Sequence, residues 1–336
     1  MEIEYLNLHT TDPYFNLACE QYVFDELPKN KSYIMLWQND NAIIVGKYQN
    51  TYAEINTEYV KEHGIKVVRR LSGGGTVYHD LGNLNYTFIT DAGEMDQLNL
   101  KLFCLPVVNV LRKIGIKAEL DGRNDITIGG RKFSGNSQYA KKGRVMHHGT
   151  ILYNSDLSVV EKALFVDQSK IVSKGIKSVR SRVTNVSDHL ENNGISLPEF
   201  RDILLQEMIA GGNASEHILT LEEIEKIREL RVKYVSWEWN YGQSSECTIT
   251  RSQRFADCGK VEMYITVQGG IVSDLEFRGD FFSYNEPSVL ARKLVGGKSI
   301  SVEAVEAMSQ NELQQYFAGI HKEEFIAFLK NALLFE

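Results

Sequence analysis

Three short stretches of this 336-residue chain bring together side chains capable of chemistry. The first is Arg69-Arg70-Leu71-Ser72-Gly73-Gly74-Gly75-Thr76-Val77-Tyr78-His79-Asp80. Three glycines after a strand let backbone N–H groups turn inward and approach an anion closely, because no Cβ intervenes, and the preceding arginines add a planar charged fork. That is phosphate or carboxylate chemistry, to be set against a glycine-rich hairpin that binds nothing. The stretch is not a P-loop, since the GxxxxGK pattern ending in Ser or Thr is absent. Nor is it a Rossmann fingerprint, since no GxGxxG opens a helix.

The second stretch is Gly122-Arg123-Asn124-Asp125, followed by Gly130-Arg131-Lys132-Phe133-Ser134-Gly135. A lysine beside a hairpin turn is ordinarily a solvated charge, and an aspartate there ordinarily bonds its own backbone, so Lys132 and Asp125 gain chemical meaning only from their neighbours. The third is His147-His148-Gly149-Thr150. Adjacent histidines on a strand point to opposite faces, so the two cannot ligate one metal in regular β geometry. A structural histidine is the plain alternative. Trp37 is either a core residue or the wall of an apolar slot, and Trp237 and Trp239 read as core or domain-contact residues.

Composition bounds what such sites can serve. The chain has 37 basic and 44 acidic residues, a net charge of −7, and 43% hydrophobic residues, enough for about two packed domains and incompatible with a disordered protein. Mild acidity argues against a general nucleic-acid binder, which needs a basic surface to displace counterions. The charge is unevenly spread: residues 121–182 hold 12 basic against 5 acidic residues, +7, and the remainder sums to −14. One segment is built to meet an anion. Four cysteines, Cys19, Cys104, Cys247 and Cys258, are too few and scattered for a disulfide scaffold, so a reducing, cytoplasmic setting is expected. The N-terminus has no basic and apolar leader pattern, and no apolar run approaches the roughly 18 residues of a membrane helix.

The elements that position these residues alternate between helical and strand patterns. Asp12-Pro13 supplies a cap and a first-turn proline, and Phe15, Cys19, Tyr22, Val23 and Leu27 then recur at helical spacing. Ser32–Trp37 and Ala42–Gly46 flank Asn39-Asp40-Asn41 and read as a β-hairpin. Asn56 caps a short helix ended by Gly64, Lys66–Arg70 is a strand, and Leu98–Ile114 is a helix made irregular by Pro106. Turns at Gly129-Gly130 and Lys141-Lys142-Gly143 join β-segments Asp125–Ile128, Arg131–Ser134, Gln138–Ala140 and Arg144–Leu152. Ser196, and Thr220 with Glu223, open two further helices. The polar stretch Gly242–Glu246 marks a boundary between domains 1–246 and 247–336. In the second, Val261–Val267 and Ile271–Phe277 form a hairpin, and Ser301–Met308 and Lys322–Phe335 read as helices. The fold class is α+β.

In this order, the segments resemble the lipoate-protein ligase A family, within the biotin/lipoate ligase superfamily. The resemblance runs from Thr11–Ala18 through Arg70–Asn83, Gly122–Asp125 with Lys132, His147–Thr150 and Lys174–Asn185 to Trp237–Gly242. It implies a mixed β-sheet catalytic domain with a small α+β C-terminal accessory domain. The implied reaction has two steps: lipoate (or octanoate) and ATP give lipoyl-AMP and pyrophosphate, and the acyl group then passes to one lysine of a lipoyl carrier domain. The carriers implied are 2-oxoacid dehydrogenase subunits and the glycine cleavage H protein, with neither nucleic acid nor membrane as partner. By the same resemblance Arg70, Gly75, Thr76, Val77, Tyr78 and Lys132 bind ATP, Lys132 is catalytic, and Lys132, Arg70, Ser72, Gly74, His79, Trp37 and His148 bind lipoate. Asp125 suits Mg2+ held through one carboxylate and the phosphates. Two other readings stand beside this one. An ATP-independent lipoyl or octanoyl transferase would need an activated thiol, and the stretch from Lys132 to Asn154 contains no cysteine. A non-catalytic lipoate-binding protein would carry a degraded site, whereas Arg70, the glycines and Lys132 are all present.

Overall fold

The computed structural model describes residues 2–91, 100–122, 124–164, 182–190, 194–210, 212–241, 249–268, 271–295 and 300–332. Arg123, Lys170, Lys174, Lys177, Arg180, Cys247 and the boundary stretch 242–246 lie outside them. The chain begins β1 (Glu2–Asn7), α1 (Pro13–Asp25), β2 (Ser32–Trp37), β3 (Ala42–Val45), α2 (Thr51–Glu54), α3 (Thr57–Glu62), β4 (Lys66–Arg69), β5 (Val77–His79) and β6 (Asn83–Asp91). It continues with α4 (Leu100–Lys113), β7 (Ala118–Asp121), β8 (Asp125–Ile128), β9 (Arg131–Lys141), β10 (Arg144–Leu152), α5 (Leu157–Ala163), α6 (Leu197–Ile209), β11 (Asn213–Glu216), α7 (Leu221–Val235) and α8 (Trp237–Asn240). A last group comprises β12 (Ile249–Phe255), β13 (Gly259–Gln268), β14 (Ile271–Gly279), α9 (Pro287–Leu294), α10 (Glu303–Glu306), α11 (Gln310–Tyr316) and α12 (Lys322–Ala332).

An eight-stranded mixed sheet in the order β11-β1-β2-β6-β10-β9-β8-β7 forms the frame. Within this sheet β1 runs parallel to both β11 and β2, and every other pairing in it is antiparallel. A second sheet, β4-β3-β5, lies apart from it. The expected hairpin of Ser32–Trp37 with Ala42–Gly46 therefore does not form, because its two strands belong to different sheets. Asn41 does take the left-handed backbone expected of a turn, with φ 48°. Asn39, however, is buried, accepting from the Asn16 amide and bonding the His79 ring, so the turn's polar groups tie α1 to β5 instead of closing two strands.

Strand alternation divides the core between the two faces of the large sheet. On one, Ile34, Leu36, Tyr86, Ile126, Phe133 and Ile151 pack against α4 and α6. On the other, Met35, Trp37, Ile89 and Met146 pack against Leu17, Tyr22 and Val23 of α1, Ile227 and Tyr234 of α7, and Ile44 and Val68 of the small sheet. Each fully buried Leu, Ile or Phe contributes about 1.5–3 kcal/mol. The small sheet is thereby pressed onto the face that carries β9 and β10, and the site lies between them.

The residues after 248 build a separate core. The meander β12-β13-β14 is covered by helices around Phe277, Phe317 and Phe325, and Tyr48 of the first part inserts its ring into that core. The Ser301–Met308 helix shrinks to Glu303–Glu306, whose first turn has no side-chain cap. Chain that follows restarts as α11, where Ser309 and Glu312 form a capping box. α9, which opens on Pro287, was likewise not anticipated.

Candidate active site

Residues 70–76 connect β4 to β5. The Arg70 guanidinium donates to Ser72 Oγ (3.0 Å) and to the carbonyls of Ile44 (3.2 Å), Gly73 (2.6 Å) and Gly75 (2.9 Å). Arg69 donates to the carbonyls of Gly46, Lys47, Gln49, Trp239 and Asn240 and to the Thr51 hydroxyl. A buried cation must find acceptors, and both arginines find them in the backbone. The open charged fork expected of the pair is thus corrected: Arg69 fastens the 46–51 loop to α8, and Arg70 shapes the glycine loop from within. Burial lowers the pKa of Arg70 to about 10 and that of Arg69 to about 9.

The glycines have a second reason to be glycine. Gly74, at φ 87°, donates its N–H to the Phe281 carbonyl (3.2 Å). A Cβ on Gly73 would lie 2.1 Å from that same oxygen, and one on Gly46 would lie 2.0 Å from the Gly74 carbonyl oxygen. At least one N–H expected to face an anion is therefore filled by the C-terminal module. Around this contact Tyr48 stacks on Phe281 at 4.8 Å, Lys47 pairs with Glu286 at 2.5 Å, and Gly279 N–H donates to the Tyr48 carbonyl. Beyond the glycines, the Thr76 hydroxyl donates to Gln49 and the Tyr78 hydroxyl to Asn41, and burial raises the Tyr78 pKa to about 12.

Lys132 owes its direction to an irregularity in β9. Strict alternation would place Lys132 and Gly135 on opposite faces. The register with β8 shifts between Ile126 and Thr127, so an extra residue is accommodated on β9 and the two positions come to one face. Lys132 Nζ lies 2.8 Å from where a Gly135 Cβ would stand, and it pairs with Asp125 Oδ1 at 2.7 Å. Its side chain remains 37% exposed. Its backbone is clamped by Arg182 and Thr184, through Lys132 N–H to the Arg182 carbonyl and Thr184 N–H to the Lys132 carbonyl. Further along the same face, the Ser137 hydroxyl donates to the Gly73 carbonyl (2.8 Å). One strand therefore carries Lys132, whose ammonium lies beside Gly135, and touches the glycine loop at Ser137, two residues further on.

The histidines divide as alternation requires. His147 faces α4, stacked on Phe103 and bonded to Gln138 and Asn136. His148 faces α1: its Nε2 meets Ser72 Oγ at 2.6 Å and its Nδ1 meets Glu20 Oε1 at 2.9 Å. Gly149 is required because Asn136 and Tyr86 fill the space of its Cβ. Trp37 is 2% exposed, and its Nε1–H donates to Thr87. His79 is buried against Trp37, bonds Asn39 through Nδ1, and has no partner for Nε2 among the described residues. Burial holds it neutral, with its pKa lowered to about 3.

Arg70, Ser72, Gly74, His148, Trp37 and His79 therefore gather around one buried region, while Lys132 of β9 and Asp125 of β8 meet beside Gly135. Sequence reasoning missed Glu20, Ser137, Phe281 and Phe282. Glu20 lies within the helical pattern of α1 without any motif to mark it, and nothing local announces that Phe281 and Phe282 will meet the glycines. Trp239 is half-buried and donates to the Arg69 carbonyl, whereas Trp237 is exposed and not a core residue. Arg144, counted in the basic segment, is buried and donates to the carbonyls of Phe24, Leu27 and Pro28, so it cannot meet an anion at the surface. Cys19 and Cys104 are buried in helices, and burial raises both thiols, the second to about 12. Among the described residues no group of three His, Cys, Asp or Glu could hold a metal by itself, and no helix is long and apolar enough to cross a membrane.

The model of the lipoyl protein ligase A/B catalytic domain matches residues 12–209, and that of the bacterial lipoate protein ligase C-terminus matches residues 244–329. The lipoate-protein ligase LplJ of Bacillus subtilis is 42% identical over 327 residues, covering 95% of this chain and 97% of its own. Lipoate–protein ligase 1 of Staphylococcus aureus is 42% identical over 321 residues, with the same coverage. Among solved structures, P. falciparum LipL1 in complex with lipoate superposes with a TM-score of 0.77 at 25% identity, covering 99% of this chain and 100% of that one. A lipoate-protein ligase A bound with ATP gives 0.62 at 29% identity, covering 72% and 100%. With matches to both domain models and near-complete relatives at this identity, the chain belongs to the lipoate-protein ligase A family and is a lipoate-protein ligase.

Proposed function

We propose that this ligase is ATP-dependent: it converts lipoate, and octanoate less efficiently, to the acyl-adenylate with release of pyrophosphate, then passes the acyl group to a carrier lysine. In the first step a carboxylate oxygen attacks the α-phosphorus and pyrophosphate leaves. In the second the lysine amine attacks the acyl carbon, AMP leaves, and the amine loses a proton. The observation that carries this reading is the Lys132–Asp125 pair at 2.7 Å, aimed along the same face of β9 that reaches the glycine loop. An ammonium positioned where charge grows on the non-bridging phosphate oxygens stabilises the transition state more than the ground state.

Roles follow for the other residues. Arg70, with Gly75, Thr76, Val77 and Tyr78, forms the ATP-binding stretch; Lys132 is catalytic and touches both ATP and the lipoyl carboxylate. Ser72, Gly74, His79, His148 and Trp37 line the acid's slot, where His79 Nε2 is a buried side-chain nitrogen with no partner among the described residues. The related ligases solved with ATP and with lipoate support these two ligand classes. For Mg2+, a single carboxylate, Asp125, is a donor set that fits an ion held mainly by phosphates and water. Asp125 would hold such an ion, which would supply screening of the triphosphate charge, and Lys132 bears on the reacting phosphate.

The domains proposed are a catalytic 1–246 and an accessory 247–336. Because Phe281 and Phe282 sit on the glycine loop, the accessory domain completes the adenylating geometry and excludes water from a labile anhydride. Carriers are lipoyl domains of 2-oxoacid dehydrogenase subunits and the H protein. An archaeal bipartite lipoate protein ligase from Thermoplasma acidophilum, studied together with its E2 lipoyl domain and 29% identical to this chain, supports that class. The reaction uses no nucleic acid and no membrane, and its setting is the cytoplasm. The test is pyrophosphate release from ATP that depends on lipoate. Acyl transfer between carriers without ATP would replace this reading.

A further inference from the structure

Every hydrogen bond around Glu20 runs the same way. Its carboxylate, 2% exposed, accepts from Thr87 Oγ1 at 2.7 Å, and Thr87 in turn accepts from Trp37 Nε1 at 3.0 Å. On the other side it meets His148 Nδ1 at 2.9 Å. A carboxylate can only accept, so Nδ1 carries a proton, and in the neutral ring Nε2, 2.6 Å from Ser72 Oγ, is the acceptor of the Ser72 hydroxyl. Ser72 Oγ accepts from Arg70 Nε at 3.0 Å, and Arg70 holds the carbonyls of Gly73 and Gly75. Two chains of donors thus end on one buried carboxylate, one from Arg70 through Ser72 and His148 and one from Trp37 through Thr87, and that carboxylate is also the charge that opposes the loss of basicity of Arg70.

We propose that Glu20 is a positioning residue for adenylation: through His148 and Ser72 it orients Arg70, and through Arg70 it holds the glycine loop in its binding conformation. The inference rests on the ligase reading given above. Removing one acceptor from such a chain leaves its buried donors free to re-aim, and a chain of this kind acts as one unit. Ser72, His148 and Glu20 also have the order of a nucleophilic triad. Ser72, however, is 1% exposed and receives the Arg70 N–H on its oxygen, so the hydroxyl is a link and not a nucleophile.

The experiment uses the full chain with Glu20→Gln, Ser72→Ala and the double variant. Lipoate-dependent pyrophosphate release is measured with kcat and KM for ATP separated. Each single variant is expected to lose about 10- to 100-fold in kcat/KM for ATP while staying folded by circular dichroism, with its melting temperature lowered by only a few degrees, and the double variant to lose no more than the worse single one. Multiplying losses, or a Glu20→Gln variant equal to wild type, overturns the proposal. Independently of any variant's folding, 15N spectra of the wild type with labelled histidine should show His148 protonated at Nδ1 with Nε2 accepting. The opposite tautomer overturns the relay. A lipoyl mass increase on Ser72 would make it a nucleophile and equally overturn it. Absence of pyrophosphate release by the wild type would remove the ligase reading instead, while the spectra still judge the relay.

Discussion

Gly73→Ala tests how the two parts of the molecule make one site. The new methyl carbon would stand 2.1 Å from the Phe281 carbonyl oxygen and 3.2 Å from its carbon. Ordinary contact begins near 3.4 Å, so loop and C-terminal backbone must separate by about 1.3 Å, and backbone on both sides cannot yield as a side-chain tip would. That separation lengthens the Gly74 N–H bond to Phe281, worth about 0.5–1.5 kcal/mol, and loosens the Tyr48–Phe281 stack, worth a further 0.5–1.5 kcal/mol. A docking loss of about 2 kcal/mol corresponds to roughly 30-fold in the equilibrium constant for the assembled site. Pyrophosphate release should therefore fall by up to about 30-fold, while transfer from preformed lipoyl-adenylate to a carrier is expected to fall less. Gly46→Ala, meeting the Gly74 carbonyl oxygen at 2.0 Å, should behave similarly. Wild-type adenylation by Gly73→Ala, with the fold intact by circular dichroism, would refute the claim that this contact builds the site.

Lys132→Ala removes a half-exposed side chain with little core contact, so melting is kept while adenylation loses about 3 kcal/mol of transition-state stabilisation; near wild-type pyrophosphate release would cancel its assignment. Gly135→Ala places a methyl 2.8 Å from Lys132 Nζ, and since a flexible tip can move aside, stability should hold while kcat drops about tenfold. The pH dependence of stability follows from His79 and His147, both buried with pKa values pushed below 6.5 by desolvation. Groups held neutral in the fold but protonated when unfolded contribute stability that is complete above about pH 6.5. It is lost as pH falls, at up to about 1.4 kcal/mol per pH unit each. The urea midpoint should accordingly fall steeply between pH 6.5 and pH 5, and a flat profile would contradict the buried neutral state.

Local signals were enough to place several pieces. Asp12 with Pro13 starts α1, the Gly129-Gly130 and Lys142-Gly143 turns join β8, β9 and β10, and both capping boxes at Ser196 and Thr220 open helices where their spacing requires. These features satisfy their own backbone groups within a few residues, so nothing distant can overrule them. The two histidines parted to opposite faces for the same reason, because strand alternation is a property of the chain itself.

What escaped was decided by partners far along the chain. Ser32–Trp37 and Ala42–Val45 could pair as neighbours, but each joins a different sheet, and a short apolar strand carries no mark of which edge it will meet. Arg69 and Arg70 read as a free charged pair until tertiary packing buried both and obliged them to take backbone carbonyls. Lys132 shares a face with Gly135 only because β8 and β9 slip out of register, an event invisible to period-two counting on either strand. The types of residue that do chemistry were written into the sequence by their backbone demands and their charge. Their distances, their partners and the carboxylate at the end of the Arg70 chain came from the packing of elements up to hundreds of residues apart, because burial is a property of the whole molecule.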